Sequence, residues 1–306
     1  MTFLVAAVIA VSLAAGLLAE PRLPHRGRPV ARAIAWVQFY VTLPFITFFV
    51  MVRFEPTGGS GLGLLAGYVE LAIVGLIAWA IGRCVLHLSG PSLGALIVVC
   101  FMGNTGLVGT PLAGAIFGSD AIEPAIAFDA LVSGPMFYVA SVSIGAAFGS
   151  AIAPSARARV RALARNPPLI AVICGLVAPD ALAPDVLVDA AHVLVYALVP
   201  FAFFMVGLTL GGEAEEGVLR FPPALTAPVA VAIGLRLVVA PLLMLALAAL
   251  VGGVPDAYLL QAATPAAVSS VVVAHAFGLD LKLTASAVAW TTMIVVVAGM
   301  IVPSVL

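Results

Sequence analysis

The residues best suited to chemistry lie at two interruptions of long apolar stretches. The first is GNTGLVGTP at 103–111, which combines glycines, an amide side chain and Pro111. The second centres on Pro265, 154 positions further along the chain. In lipid, backbone N–H and C=O groups lack partners, so unwound peptide survives there only where protein encloses it or it lines a cavity. Two such interruptions in corresponding halves therefore indicate the substrate site of a transporter.

The first interruption is predicted to bind an anion. Its glycines and small polar residues have low helix propensity, and Pro111 cannot donate an amide hydrogen, so the helix should open here. The N-terminus of the following half-helix would then direct N–H groups and partial positive charge at a carboxylate. We predict a substrate site formed by Asn104, Thr105, Gly106 and Pro111. The alternative is that the small residues only allow close helix packing.

The second interruption is predicted to complete the same site. Pro265 lies between Thr264 and a pair of serines that begins at Ser269. A gap induced by the proline would be followed at once by hydroxyls that could face the cavity, and Thr264 and Ser269 are the best candidates. Hydroxyl side chains in membrane helices also bond back to their own helix carbonyls, which is the alternative interpretation.

Three ionisable residues, Glu70, Asp129 and Arg236, fall inside apolar stretches, where each costs about 2.5 to 3.5 kcal/mol on insertion scales. Glu70 and Asp129 are candidates for a proton or sodium site coupled to transport. The alternative is a structural ion pair between Arg236 and one of the acids. His192 and His275 stand alone and are interpreted as packing residues, so no metal site and no cofactor are predicted.

The composition places the chain in a membrane. Of its 306 residues, 63% are hydrophobic and only 9% are charged, and the mean hydropathy is +1.23. In a typical soluble domain, about a quarter of all residues are charged. The formal net charge is −1 and no dense Lys/Arg cluster is present, which argues against nucleic acid as a partner. No nucleotide-binding motif and no constellation typical of an enzyme appears, so the expected partners are a small solute and membrane lipid.

Apolar stretches long enough to span a bilayer, about 20 residues each, predict an all-α polytopic membrane protein with ten transmembrane helices. The predicted spans are residues 2–19, 33–52, 62–82, 93–117, 122–147, 167–183, 187–211, 224–251, 257–278 and 283–305, and a connecting loop at 148–166 separates two groups of five. Pro44 and Pro200 are 156 positions apart, close to the offset between the two interruptions. Because five is odd, this spacing indicates an inverted repeat, unless the prolines coincide by chance.

The distribution of basic residues predicts the orientation. One set of linkers holds only Arg53, whereas the other holds eleven basic residues: Arg22, Arg26, Arg28, Arg32, Arg83, Arg157, Arg159, Arg161, Arg165, Arg220 and Lys282. Cytoplasmic loops carry the excess of Lys and Arg. We therefore expect both termini outside a bacterial inner membrane and the 148–166 loop in the cytoplasm.

Two segments, GNTGLVGTPL and PAAVSSVVVAHAFGLD, resemble the crossover segments of the auxin efflux carrier family. Leu43-Pro44 in the second span and the spacing of Arg236 and Pro241 in the eighth are also similar. Bacterial members of that family include proteins described as malonate transporters. The resemblance implies a fold shared with the bile acid/sodium symporters, in which the fourth and ninth spans cross as broken helices at a central substrate site.

The resemblance also implies a scaffold and a transport domain that moves relative to it. A scaffold domain would comprise residues 1–52 and 167–211, often forming a homodimer, and a transport domain would comprise 62–147 and 224–306. The expected function is secondary transport of a small organic anion, such as malonate or an indole acid, by an elevator-like mechanism. A sodium-coupled carrier, a passive channel and a membrane-embedded enzyme are the alternatives.

Overall fold

The computed structural model describes residues 2–19, 33–34, 36–56, 58–150, 155–220 and 222–305, and these are folded almost entirely as helices. The helices are α1 (Thr2–Ala19), α2 (Gln38–Val52), α3 (Ser60–Val85), α4 (Gly90–Phe101), α5 (Thr105–Phe117), α6 (Ser119–Phe148), α7 (Ala156–Ala164), α8 (Pro167–Val177), α9 (Asp185–Glu215), α10 (Ala227–Val251), α11 (Asp256–Ala262), α12 (Ser269–Phe277) and α13 (Leu281–Val305). Within the described ranges no β-strand is formed.

Helix length and composition agree with a polytopic membrane protein. Among the described residues, five helices are long and apolar enough to cross a bilayer, namely α3, α6, α9, α10 and the Leu281–Ala298 part of α13. Helices α7 and α8 together would make a sixth, although they meet at a bend of 54°. Each of the ten predicted spans coincides with one helix or with an interrupted pair. The count of ten spans and the inverted repeat stay predictions, since α2, α4, α5 and α8 are short.

Two predicted boundaries differ from the structure. The predicted loop at 148–166 contains α7, because Ser155 caps that helix by accepting a hydrogen bond from the Ala158 N–H at 3.2 Å. The sixth predicted span, 167–183, ends as an α-helix at Val177, before Pro179 and a short 3-10 turn. The basic residues Arg22, Arg26, Arg28 and Arg32 lie outside the described residues.

Glycines allow some of the helices to approach each other very closely. A side chain added at Gly16 of α1 would lie 2.2 Å from the Phe204 carbonyl oxygen, and one added at Gly207 of α9 would lie 2.3 Å from the Leu13 carbonyl oxygen. Gly175 of α8 packs in the same way, with the Phe48 carbonyl of α2 at 2.9 Å. These contacts join α1 with α9 and α2 with α8, all within the predicted scaffold. The largest hydrophobic core lies instead mainly among α3, α4, α10, α12 and α13.

Candidate substrate-binding site

The two predicted interruptions are present in the structure and lie side by side. Helix α4 ends at Phe101 and α5 begins at Thr105, while α11 ends at Ala262 and α12 begins at Ser269. Between them, Gly103 pairs with Ala266 in an antiparallel bridge. Two backbone hydrogen bonds hold the crossing, from the Asn104 N–H to the Pro265 carbonyl at 2.8 Å and from the Ala267 N–H to the Met102 carbonyl at 2.9 Å. Each break thus supplies hydrogen-bond partners for backbone groups that the other break leaves unpaired.

The first break is shorter than the GNTGLVGTP segment predicted to unwind. Only the residues from Met102 to Asn104 leave helical geometry, and a π-helical turn at Thr105–Gly109 follows. Pro111 lies in the first turn of the α-helical part of α5, not in the break. Proline is tolerated inside α5 because it follows the π-helical turn, in which the Thr110 N–H bonds to the Thr105 carbonyl, and such local adjustments satisfy the groups that a proline leaves open. The prediction that Pro111 forms part of the opening is therefore wrong.

Gly103 must lack a side chain because Arg236 and Thr264 occupy the adjacent space. A Cβ atom built on Gly103 would lie 2.2 Å from Nη2 of Arg236 and 2.5 Å from Oγ1 of Thr264. Since real Cβ atoms do not approach neighbours this closely, any side chain here must displace the guanidinium group. The glycine therefore lets Arg236 reach the crossing.

Arg236 binds the carboxyl ends of both broken helices. Its side chain is 1% exposed, and it donates to the carbonyl oxygens of Thr264 at 2.8 Å, Gln261 at 3.2 Å and Phe101 at 3.4 Å. These carbonyls lie at or just beyond the ends of α4 and α11, where unpaired acceptors and partial negative charge accumulate. A cation that is buried and hydrogen-bonded in this way stabilises both breaks at once.

Among the described residues, Arg236 forms no direct ion pair with an acid, and Glu70 acts on it only as a charge at longer range. Neither Glu70 nor Asp129 has a carboxylate oxygen within 4 Å of the guanidinium. Sequence reasoning missed the role of Arg236 as a ligand for backbone carbonyls. The signal that could have found it is a lone basic residue in an apolar span of a chain that also contains two helix breaks.

A cavity of about 520 Å³ lies beside the crossing. Its walls come from both predicted domains. Residues of the breaks and of α6 line one side, including Asn104, Thr105, Gly106, Asp129 and Ser269, and residues of α2, α8 and α9 line the other, including Gln38, Leu43, Leu169, Met205 and Thr209. The structure therefore brings together four of the predicted site residues with one of the predicted coupling residues.

Two helix N-termini face this cavity. The first residues of α5, Thr105–Leu107, and those at the start of α12, Val268–Ser269, both line it. The opening amides of a helix have no intrahelical acceptor and carry partial positive charge. Asn104, which directly precedes α5, also lines the cavity. Its side chain is only 6% exposed, and its Nδ2 has no hydrogen-bond partner among the described residues. A small anion in the cavity would meet several unused donors.

Asp129 contributes the one carboxylate among the described lining residues of this cavity, which include no Lys, Arg or His. The Thr105 hydroxyl donates to Oδ1 of Asp129 at 2.5 Å. A Cβ atom on Gly106 would lie 2.8 Å from Oδ2 of the same carboxylate. The Asp129 side chain therefore packs directly against the first turn of α5.

Five of the predicted residues, Arg236 among them, lie away from the cavity lining. The Thr264 hydroxyl donates to the Gln261 carbonyl at 2.8 Å and accepts from Arg236 at 3.1 Å, so the prediction that it faces the cavity is wrong. Pro265 contributes only its carbonyl, and Pro111 borders a separate small cavity of about 30 Å³ that Asp129 also lines. Glu70 is 0% exposed within α3, and neither of its carboxylate oxygens has a hydrogen-bond partner among the described residues.

Two residues that sequence reasoning did not single out support the crossing. The Gln261 side chain donates from Nε2 to the Ala125 carbonyl at 2.8 Å and so ties α11 to α6. The Thr291 hydroxyl of α13 accepts the Ala266 N–H at 3.1 Å. Both supply partners for backbone groups inside the helical bundle, and neither residue has a sequence pattern that distinguishes it from other buried polar residues.

The two histidines interpreted as packing residues each contact a glutamate. Nε2 of His192 in α9 lies 3.0 Å from Oε1 of Glu123 in α6, and Nε2 of His275 in α12 lies 3.6 Å from Oε1 of Glu213 in α9. The first pair joins the predicted scaffold to the predicted transport domain, and the second joins the predicted transport domain to a residue of α9 just beyond the predicted scaffold. Glu216 extends the second pair to a group of three with ligand atoms within 4.8 Å of one another, outside the cavity lining.

Comparison with known proteins gives two matches. The sequence profile of a family described as membrane transport proteins matches residues 152–302, which includes Arg236 and the second break. An uncharacterized transporter of Methanocaldococcus jannaschii is similar to this chain, with 28% identity over 229 residues that cover 72% of this chain and 70% of the relative. Both matches concern transport across membranes.

Proposed function

Since this chain belongs to the auxin efflux carrier family of membrane transporters, we propose that it is a secondary carrier for a small organic anion containing a carboxylate. The cavity beside the paired helix breaks supports this proposal most directly. It is large enough for a small organic acid, and broken helices that cross at a central cavity are typical substrate sites of secondary transporters.

The charge arrangement around the crossing favours an anion. The negative carboxyl ends of α4 and α11 are turned towards Arg236, and the positive amino ends of α5 and α12 are turned towards the cavity. The Asn104 amide adds a neutral donor. In this proposal the substrate carboxylate binds near Thr105 and Ser269, and the apolar residues of α2, α8 and α9 enclose the rest of the molecule.

The position of the cavity supports an elevator-like alternating-access mechanism. Its walls belong to the proposed scaffold on one side and to the proposed transport domain on the other, so relative movement of the domains would open and close it. The lining also includes Leu163 of α7, within the basic stretch that we assign to the cytoplasm, and Asn166, which follows that stretch. We therefore assign the structure to an inward-facing state in the ten-span topology, with both termini outside.

Exchange in proteoliposomes tests the carrier proposal. We expect external 14C-malonate or 14C-indole-3-acetate to be taken up into vesicles loaded with the same unlabelled acid, at rates that saturate with concentration. A passive channel would show uptake that rises linearly with concentration and is not stimulated by internal substrate. Failure of both acids and of a wider panel of small carboxylates to exchange would contradict the proposal.

Replacement of Asn104 by alanine tests the site itself. A hydrogen bond to a charged group contributes about 1.5 to 3 kcal/mol, so Asn104→Ala should raise the half-saturating concentration in exchange by roughly 10- to 100-fold. Asn104→Asp, which has the same size but adds a negative charge, should abolish exchange. Unchanged half-saturation in Asn104→Ala would show that the substrate binds elsewhere.

A further inference from the structure

Asp129 occupies a place in the cavity that conflicts with an anionic substrate. Its carboxylate packs against Gly106 in the first turn of α5 and accepts a hydrogen bond from Thr105 at 2.5 Å. The same turn provides one of the two positive helix ends of the proposed site. An ionised Asp129 therefore offers its own negative charge to the donors that would hold the substrate.

The surroundings of Asp129 provide no second positive group that could hold two anions together. The described residues that line the two cavities it borders include no Lys, Arg or His. The elements packed against Asp129 are α3, α5, α8 and the rest of its own helix, α6. Their titratable groups are Tyr68, Glu70, Arg83 and Cys84 of α3, Asp120, Glu123 and Tyr138 of α6, and Cys174 of α8, and of these Tyr138 lines the same cavity as Asp129. The Tyr68 hydroxyl is engaged with the Leu131 carbonyl at 2.5 Å.

Two like charges in a site of low dielectric repel each other strongly unless one of them is neutralised by a proton. We propose that Asp129 is the proton-binding residue of this carrier, and that each substrate molecule crosses the membrane together with one proton held on an Asp129 carboxyl oxygen. The proton binds from the side where substrate binds, and it leaves to water on the other side when the substrate leaves. This inference rests on the proposed function and assigns its coupling ion.

Asp129 differs in its access to the cavity from Glu70, the other acid considered for coupling. Asp129 lines the cavity, where water and substrate can reach it, whereas Glu70 is completely buried and lines neither cavity. Thr105 can donate to an ionised Asp129 and can accept from a protonated one, since a hydroxyl does both. Asp129 thus has access and a partner for both protonation states.

The experiment compares two activities in the same proteoliposomes. Exchange at equal pH reports binding and movement of the loaded carrier, and accumulation driven by a pH gradient reports proton coupling. The probe is 14C-malonate, or 14C-indole-3-acetate if that acid gives the saturable exchange. With the membrane potential clamped at zero by valinomycin and potassium, one proton per substrate molecule should give wild-type accumulation of roughly tenfold for an inward gradient of one pH unit.

Asp129→Asn mimics the protonated carboxyl and cannot release a proton. We expect this variant to retain exchange, with a rate that no longer rises as the pH falls, and to lose accumulation completely. Pyranine trapped in the vesicles should report proton entry with substrate for the wild type but not for Asp129→Asn. The exposed Asp189→Asn in α9 is the matched control, and Glu70→Gln should keep accumulation.

Each outcome is decisive. Persistent accumulation in Asp129→Asn, or loss of accumulation in Glu70→Gln with Asp129→Asn unaffected, would overturn the assignment. Loss of exchange together with accumulation in Asp129→Asn, while the wild type exchanges, would also overturn it, because the neutral side chain should suffice for binding. Absence of exchange in the wild type would instead contradict the proposed function.

Discussion

At the scale of single residues, the crossing depends on the absence of a side chain at Gly103. The guanidinium of Arg236 and the hydroxyl of Thr264 occupy the space that a Cβ atom would need. Their hydrogen bonds in turn satisfy carbonyls of both broken helices. A change at this one position therefore affects the site and the fold together.

Gly103→Ala should destabilise the protein by about 1 to 3 kcal/mol, the usual cost of forcing extra atoms into a packed interior. It should also reduce exchange, because displacement of Arg236 loosens both breaks. Thermal unfolding in detergent and exchange in proteoliposomes measure the two effects. Gly61→Ala is the matched control, since a Cβ atom there meets no neighbour within 4 Å. Equal melting temperatures for the two variants would contradict this account.

The residue types at the two breaks could be predicted from the sequence, but the direction of each side chain could not. Asn104, Thr105 and Ser269 face the cavity as expected, while Thr264 turns to Arg236. Which way a hydroxyl points depends on a partner 28 positions away in sequence, and local spacing does not contain that information. The carbonyl groups that accept hydrogen bonds from Arg236 could not be predicted from the sequence for the same reason.

At the scale of helices, glycines determine how closely α1 and α9 approach each other. Gly16 of α1 and Gly207 of α9 allow their backbones to come into direct contact, as small residues do in membrane helix pairs. The breaks were predictable at this scale, because proline and glycine interrupt helices. Helix α7 was not predicted, since its charged surface resembles that of a loop and only its Ser155 cap distinguishes it.

Gly207→Ala should lower the melting temperature by several degrees, because the new Cβ atom would lie 2.3 Å from the Leu13 carbonyl and must push α1 away. Gly234→Ala in α10 is the matched control, since its Cβ atom would meet no atom within 4 Å. Thermal unfolding of both variants in the same detergent tests the prediction. A Gly207→Ala protein as stable as Gly234→Ala would show that this contact is not tightly packed.

At the scale of the whole molecule, two contacts near the predicted outer surface differ in what they join. The His192–Glu123 pair connects the proposed scaffold with the proposed transport domain, and the Arg53–Asp185 pair, at 2.7 Å, lies within the scaffold. If the domains move past each other, the first pair must separate during each cycle and the second need not.

Crosslinking tests this difference. In a protein with Cys84, Cys100 and Cys174 replaced, a short bifunctional thiol reagent should block uptake when cysteines stand at 123 and 192. The same reagent should leave uptake largely unchanged when they stand at 53 and 185. Mass spectrometry confirms that each link has formed. Equal effects at the two positions would contradict movement across the proposed domain boundary.

Arg236 has one more consequence for the proposed cycle. Because a single guanidinium holds carbonyls from both breaks, the two breaks cannot come apart without stranding a buried charge. The breaks must then travel as one piece, and the substrate carboxylate keeps the same helix-end donors from entry to departure. Release would follow from exposure to water on the far face, and loading should be equally tight from either compartment.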